Sequence, residues 1–324
     1  MRGLYRARKI IRRIRRRLIP GALILMYHRI ADLPDDPYEL AVSPRNFTRH
    51  LEYILESCTV MRLVDLAKTI HSGEIPPRSV AFTFDDGFAD NQECALPILE
   101  DAKIPATVFV ATGQIGSDRE FWWDELERVF LTTEALPSQL SIMVGAQEYG
   151  WTIDSKEKGQ AIRAQLHRLI KPLQSTTRDQ IVEQLVDWAG LSRNCRAYNR
   201  ALRASELVSL AGSGLIEIGA HTITHPSLAF LSEEEQGEEI IGSRMALETL
   251  IGEPVTSFAY PYGKQEDFTD RTATLVREAG FLQACTTVCA SLEAGRDLFQ
   301  LNRCGIHNWS IDVFVQNLKD FFIS

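Results

Sequence analysis

The sequence predicts an α/β fold in which about seven mostly alternating β/α units close, or nearly close, into a barrel of parallel strands with one mainly helical insertion. Three observations carry that expectation. Val80-Ala81-Phe82-Thr83-Phe84 is a short uncharged run, as a strand buried on both faces must be, and it leads straight into Asp85-Asp86-Gly87. Strand-like and helix-like patterns alternate at βαβ spacing on both sides of it. From Phe121 to about Leu202 that rhythm lapses into charged, helix-periodic sequence, an insertion at about 119–202. A doubly wound open sheet is the alternative arrangement.

The elements follow in order. Residues 1–20 form an arm: residues 1–18 hold nine Arg or Lys and no acid, with Ile10, Ile11, Ile14 and Leu18 at helical spacing among them. A basic amphipathic helix of this kind either rests on an anionic membrane or stays solvated. The apolar run Leu23-Ile24-Leu25-Met26 is short and lacks a small-residue cleavage site, so it reads as the first core strand, 22–27, rather than a secretory signal. The globular domain, 21–324, starts there. Ser43-Pro44 opens a helix whose apolar face is Phe47, Leu51, Ile54 and Leu55, and a second helix covers 63–71. The central strand 80–84 is followed by a helix over 91–101 and a buried strand over 106–111. After the insertion come a helix at 205–212, a short strand into His221, and a helix over 232–251 that Ser232 and Glu235 can open with a capping box. Strand 257–260, helix 269–279, strands 282–287 and 299–306, and helix 311–322 complete the count.

Composition narrows the function. The net charge is −8, but residues 19–324 carry 26 basic and 43 acidic side chains, a net of −17. Phosphate backbones need a positive surface, so nucleic acid is excluded as a partner of this body. The six cysteines, Cys58, Cys94, Cys195, Cys285, Cys289 and Cys304, are scattered without a Cys-x-x-Cys pair. They read as free thiols in a reducing compartment. The expected location is the cytoplasm, with the arm against the inner face of the membrane.

The chemistry gathers at strand ends. Side chains alternate along a strand, so Asp85 and Asp86 point in different directions and can do two different jobs. Taken alone, the stretch is equally a strand followed by an Asp-Gly turn. Downstream, Ile216-Glu217-Ile218-Gly219-Ala220 runs into His221-Thr222-Ile223-Thr224-His225-Pro226, two histidines at a spacing that one helical turn brings onto a common face. Imidazole and carboxylate together suit a divalent metal of the zinc type. Phe258-Ala259-Tyr260-Pro261-Tyr262-Gly263 stands at a third strand end. His28 ends the first strand and could reach the same place, or serve a structural role.

On Thr83-Phe84-Asp85-Asp86-Gly87 and His221-Thr222-Ile223-Thr224-His225-Pro226, the chain resembles the polysaccharide deacetylase family, the fourth carbohydrate esterase family with its NodB-like homology domain. The resemblance covers roughly residues 22–306. It implies a distorted (β/α)7 barrel and a hydrolase that takes the N-acetyl group from an amino sugar in a polysaccharide or a lipid-linked glycan. It also implies a divalent metal, zinc by preference, held by Asp86, His221 and His225, with Asp85 as general base and the Tyr262 backbone amide in an oxyanion hole. Two departures matter. The family's third motif carries an arginine that orients the base where this chain has Ser257, and Arg303 is the candidate replacement from a late strand. The family's last motif supplies a general-acid histidine, for which His307 is the nearest candidate, the alternative being a surface histidine. His28, Pro261 and Trp122 are the candidate substrate-binding residues; Trp122 and Trp123 either stack on sugar rings or anchor the insertion. A deformylase acting on a lipid-linked aminosugar, and a carbohydrate-binding protein with a dead site, are the competing readings.

Overall fold

The computed structural model describes residues 21–132 and 136–323. The basic arm expected over residues 1–20 lies outside the described residues. Twelve strands are described: β1 (Ala22–Tyr27), β2 (Arg29–Ile30), β3 (Ala41–Val42), β4 (Thr59–Val60), β5 (Ser79–Phe84), β6 (Ala106–Val110), β7 (Gln139–Val144), β8 (Gln147–Thr152), β9 (Ile216–Ala220), β10 (Ser257–Ala259), β11 (Gln283–Cys285) and β12 (Cys304–Gly305). The α-helices are α1 (Pro44–Ser57), α2 (Leu63–Ser72), α3 (Leu96–Ala102), α4 (Trp122–Glu127), α5 (Lys156–Ile170), α6 (Ser175–Trp188), α7 (Ala204–Gly212), α8 (Glu233–Ile251), α9 (Asp270–Glu278) and α10 (Ile311–Phe321).

The main sheet is parallel and ordered β11-β10-β9-β6-β5-β1-β12, with β4 beside the start of β5. Its two edges meet. Cys285 bridges Leu301, the Thr286 amide donates to the Leu301 carbonyl at 2.8 Å and the Leu301 amide to the Ala284 carbonyl at 2.9 Å. The expected barrel is therefore present and the open doubly wound sheet is not. The long last strand expected over 299–306 is reduced to a pair of residues, because the chain changes partner there: Leu301 bonds to β11, whereas Cys304 and Gly305 pair with Leu25 and Met26 of β1.

Central β5 explains the apolar run that announced it. All six of its residues are buried between β1 and β6, and Phe82 and Phe84 pack with Tyr27 of β1 and Phe47 of α1, the Tyr27 and Phe47 rings 5.1 Å apart edge to face. Each such side chain contributes about 1.5–3 kcal/mol by leaving water. In α1 the predicted stripe is Phe47, Leu51 and Ile54; Leu55, one residue beyond it, is 47% exposed instead. At α8 the Ser232 hydroxyl accepts from the Glu235 amide and the Glu235 carboxylate accepts from the Ser232 amide, the capping box that the spacing predicts. The helix expected from Asn91 begins with a wider π turn over Asn91–Ala95, where the Asn91 side chain is drawn to the His28 carbonyl at 2.8 Å.

The insertion has its own core, built from Trp122, Trp123, Leu126, Leu166, Ile181 and Leu185 among others. It is not wholly helical. β7 and β8 form an antiparallel hairpin, on which Leu140 and Ile142 turn inward while Gln139 and Ser141 face out. That alternation is strand periodicity, short enough to be lost between two helical patterns. The cysteines also differ from expectation. Cys289 and Cys304 are joined in a disulfide, because the return from β11 to β12 brings their Cα atoms within 4.3 Å despite a sequence separation of 15. Cys58, Cys94, Cys195 and Cys285 are free thiols. Among the described residues no helix is long and apolar enough to cross a membrane.

Candidate active site

Asp85 and Asp86 leave the carboxyl end of β5 in two directions. Asp86 takes a left-handed backbone conformation, φ 73°, which costs a side chain on the order of 1–3 kcal/mol and persists only where the surroundings impose it. Gly87 follows at φ 81°, and a Cβ there would stand 3.0 Å from Val110, so only glycine lets the turn lie against β6. Asp85 turns inward to Arg303, which donates from Nη1 to Oδ1 at 2.6 Å and from Nη2 to Oδ2 at 2.7 Å. Arg303 is fully buried, and its Nε donates to the Thr286 carbonyl at 3.0 Å. Burial pushes the Asp85 carboxyl up, but the Arg303 guanidinium, with His221 beside it, outweighs burial and holds the carboxyl below the usual range.

The histidines stand on a loop rather than on a helical turn. β9 delivers His221, and Thr222 at φ 67° and His225 at φ 54° then bend the chain so that His225 returns to the same place. Pro226 disfavours the helical conformation at His225, which the spacing alone could not reveal. The loop is held from outside. The Glu239 carboxylate of α8 accepts from the Ile223 and Thr224 amides at 2.7 and 2.9 Å, and buried Arg178 of α6 donates to the Thr224 carbonyl at 2.9 Å and the His225 carbonyl at 3.3 Å.

Asp86, His221 and His225 each offer one ligand atom, all within 4.8 Å of one another. His221 Nδ1 lies 2.7 Å from the Ala259 carbonyl and must donate to it, which turns Nε2 toward Asp86 Oδ1 at 3.5 Å. His225 Nε2 is 3.4 Å from the same oxygen. Burial pushes the His225 imidazole down to about 3, against the pull of Asp86, so the ring is neutral as a ligand must be. For Asp86, burial alone would raise the pKa; the His221 and His225 rings beside it bring it below the usual carboxylate range. Two imidazoles and a carboxylate, buried and converging, fit a zinc-type ion.

These groups open into a cavity of about 710 Å³. Asp85, Asp86, His221 and His225 line it, and so do His28, Tyr262 and His307. Tyr262, at φ 59°, stands 4.7 Å from the His225 ring, and its carbonyl accepts from Thr287 Oγ1 at 2.6 Å. Its own amide has no acceptor among the described residues and is free for a ligand. His307 is partly exposed, with Nδ1 3.0 Å from the Glu39 carbonyl. Trp122 and Pro261 do not line the cavity. Trp122 is buried against Trp123, His167 and Arg178, in the anchoring place weighed for it, while Trp123 presents its ring to the cavity 4.7 Å from His225. Sequence reasoning missed His167 and Lys171, whose spacing along α5 and beyond carries no motif, and Tyr38, which precedes the first helix. Lys171 Nζ sits 4.2 Å over the Tyr262 ring and 2.6 Å from Asp267.

A family model described as polysaccharide deacetylase matches residues 72–284, well over half of the chain. This chain belongs to the polysaccharide deacetylase family. Among solved structures, the deacetylase PplD of Streptococcus pyogenes in complex with acetate is 19% identical, with a TM-score of 0.59 and coverage of 92% of this chain and 98% of that one. IcaB from Ammonifex degensii is 21% identical, with a TM-score of 0.59 and coverage of 93% and 97%. A polysaccharide deacetylase from Bacillus cereus is 19% identical, with a TM-score of 0.59 and coverage of 92% and 69%. At such identities these likenesses show the fold, the (β/α)7 type of the deacetylases. No curated protein sequence matches significantly. The family match ends before Arg303 and His307 and begins after His28, so those three positions rest on the geometry of this chain alone.

Proposed function

We propose that this polysaccharide deacetylase family member is a metal-dependent hydrolase that releases acetate from an N-acetylated amino sugar, in a polysaccharide or a lipid-linked glycan. The observation that carries the reading is Asp85, gripped from behind by buried Arg303, lining the same cavity as the Asp86, His221 and His225 donors. Amides resist hydrolysis because the carbonyl is a poor electrophile and an amine a poor leaving group. Asp86, His221 and His225 would hold a divalent metal, best matched by zinc, which would supply Lewis acidity toward the carbonyl and toward water. Asp85, kept ionised and aimed by Arg303, takes the proton of the attacking water as general base. The free Tyr262 amide donates to the oxyanion that develops on the carbonyl oxygen. His307 is the candidate acid that protonates the departing amine, and Trp123 offers a flat face for the sugar ring.

The reading is tested by loading the purified protein with zinc and assaying acetate and formate release from N-acylated hexosamine glycans and lipid-linked sugars. Acetate is expected; formate instead would move the assignment to a deformylase, and neither would refute the hydrolase reading. Replacing Asp86, His221 or His225 with Ala removes one of three ligands, and metal content measured by elemental analysis after dialysis is expected to fall far below one per chain in each variant.

For the basic arm we propose peripheral contact with an anionic membrane from the cytoplasmic side, which favours lipid-linked or nucleotide-linked substrates. Nine basic residues in residues 1–18, each contributing on the order of 1 kcal/mol near such a surface, support it. Deleting residues 1–18 is expected to leave metal binding intact and to abolish sedimentation with phosphatidylserine vesicles at low salt. Equal sedimentation of both forms would rule the arm out.

A further inference from the structure

The Cys289–Cys304 disulfide stands beside the site without belonging to the chemistry assigned above. Residues 286–291 run from the end of β11 across the rim of the cavity to Leu292, which is bonded to Ala22 in both directions, at 3.0 and 2.8 Å. The near end of this strap carries two anchors. The Thr286 carbonyl accepts from Arg303 Nε at 3.0 Å, on the side of the guanidinium away from Asp85. Thr287 donates from its hydroxyl to the Tyr262 carbonyl at 2.6 Å and from its amide to the Gly263 carbonyl at 2.9 Å. One short strap thus holds both the arginine that aims Asp85 and the peptide that offers the Tyr262 amide.

Between those anchors and Leu292, the strap is tied to the barrel by the disulfide. Cys304 is fully buried in β12, directly after Arg303, whereas Cys289 is exposed and lines the cavity. Val288, beside it, is 41% exposed and offers little packing to replace the bond. The exposed sulfur also admits a reductant. A dithiol attacks through its thiolate, the Cys289–Cys304 bond breaks, two electrons and two protons end on the two cysteine thiols, and the dithiol leaves as a cyclic disulfide.

We propose that this disulfide is a positioning element of the site, fixing the 286–291 strap so that Arg303 and Tyr262 keep their aim, and that its reduction by a dithiol lowers turnover while the metal stays bound. The proposal rests on the roles given above to Asp85 and Tyr262. Because those groups act in the transition state, the loss falls on kcat rather than KM. Small misplacements of such groups cost about tenfold to a hundredfold.

The test uses the full zinc-loaded chain, oxidised and then treated with dithiothreitol, together with Cys289→Ser, which changes the exposed partner and leaves the buried one in place. Thiol labelling verifies the redox state, elemental analysis the metal, and hydrogen exchange the strap. Reduction is expected to lower kcat by about tenfold to a hundredfold with KM changed by less than about twofold, and to speed amide exchange at Gly263, Thr286 and Thr287. Cys289→Ser is expected to match the reduced wild type and to ignore the reductant, and reoxidation to restore only the wild type. An unchanged kcat between oxidised and reduced wild type overturns the proposal whatever the exchange shows. If neither form releases acetate, the deacetylase reading fails instead; faster exchange on reduction then upholds the positioning role and unchanged exchange overturns it.

Discussion

Asp85→Asn is expected to keep the metal and lose turnover by about 10²–10⁴-fold, the contribution of a positioned general base. The substitution preserves the shape of the side chain and spares Asp86, His221 and His225, so stoichiometric metal by elemental analysis is part of the expected result. The Asn carbonyl can still accept from one Arg303 nitrogen, but its amide cannot accept from the other, so the fork that now binds both carboxylate oxygens is half lost. A variant with near-normal kcat would remove Asp85 from the reaction and leave the donor trio without a base.

Arg303→Ala is expected to be the most damaging substitution in the protein. It leaves a buried carboxylate without its partner, for which the usual cost is about 3–5 kcal/mol. It also strips hydrogen bonds from Thr83 and the Thr286 carbonyl. Burial of Asp85 is then opposed by less positive charge, its pKa rises, and the ionised form that serves as base is less favoured. Denaturant unfolding with the metal content held constant measures the first effect and acetate release the second. Arg303→Lys should recover little of either, since an ammonium cannot reproduce a two-pronged contact while also reaching Thr286. A stable, active Arg303→Ala would mean that Asp85 is ionised and oriented by something else.

The parts of this site that could be read from sequence are those whose chemistry is contiguous. Asp85 and Asp86 adjoin a recognisable strand, and His221 and His225 are separated by only three residues. Arg303 could be named only as a candidate, because its partner is 218 positions away and nothing local distinguishes an arginine that closes a barrel from one on its surface. Trp122 and Trp123 are adjacent on a helix, about 100° apart around its axis. Which of them faces the cavity is decided by the packing of the insertion, information spread over β7, α5 and α6. Glu239 is one acid among many on α8, and its role in holding the His221–His225 loop appears only when the helix is laid against that loop. Strands β1, β5 and β6 were legible because each is a continuous uncharged, mostly apolar run, whereas the two-residue strands β2, β3 and β4 carry no such signal. Near the end of the chain the strands expected over 282–287 and 299–306 shorten to Gln283–Cys285 and Cys304–Gly305, since backbone pairing passes from β11 to β1 within a few residues.

That change of partner gives Arg303 a second meaning. β12 pairs with β1 through two residues, and the opposite edge reaches this segment through backbone bonds to Leu298 and Leu301 and through the Cys289–Cys304 disulfide. Across this thin join the guanidinium ties three strands at once, reaching Thr83 and Asp85 at the end of β5 and Thr286 just past β11 from its own place before β12. The side chain that grips Asp85 is therefore also the keystone of the arch. In a form of this chain that no longer catalysed anything, losing the arginine while the buried carboxylate stayed would still weaken the closure of the barrel.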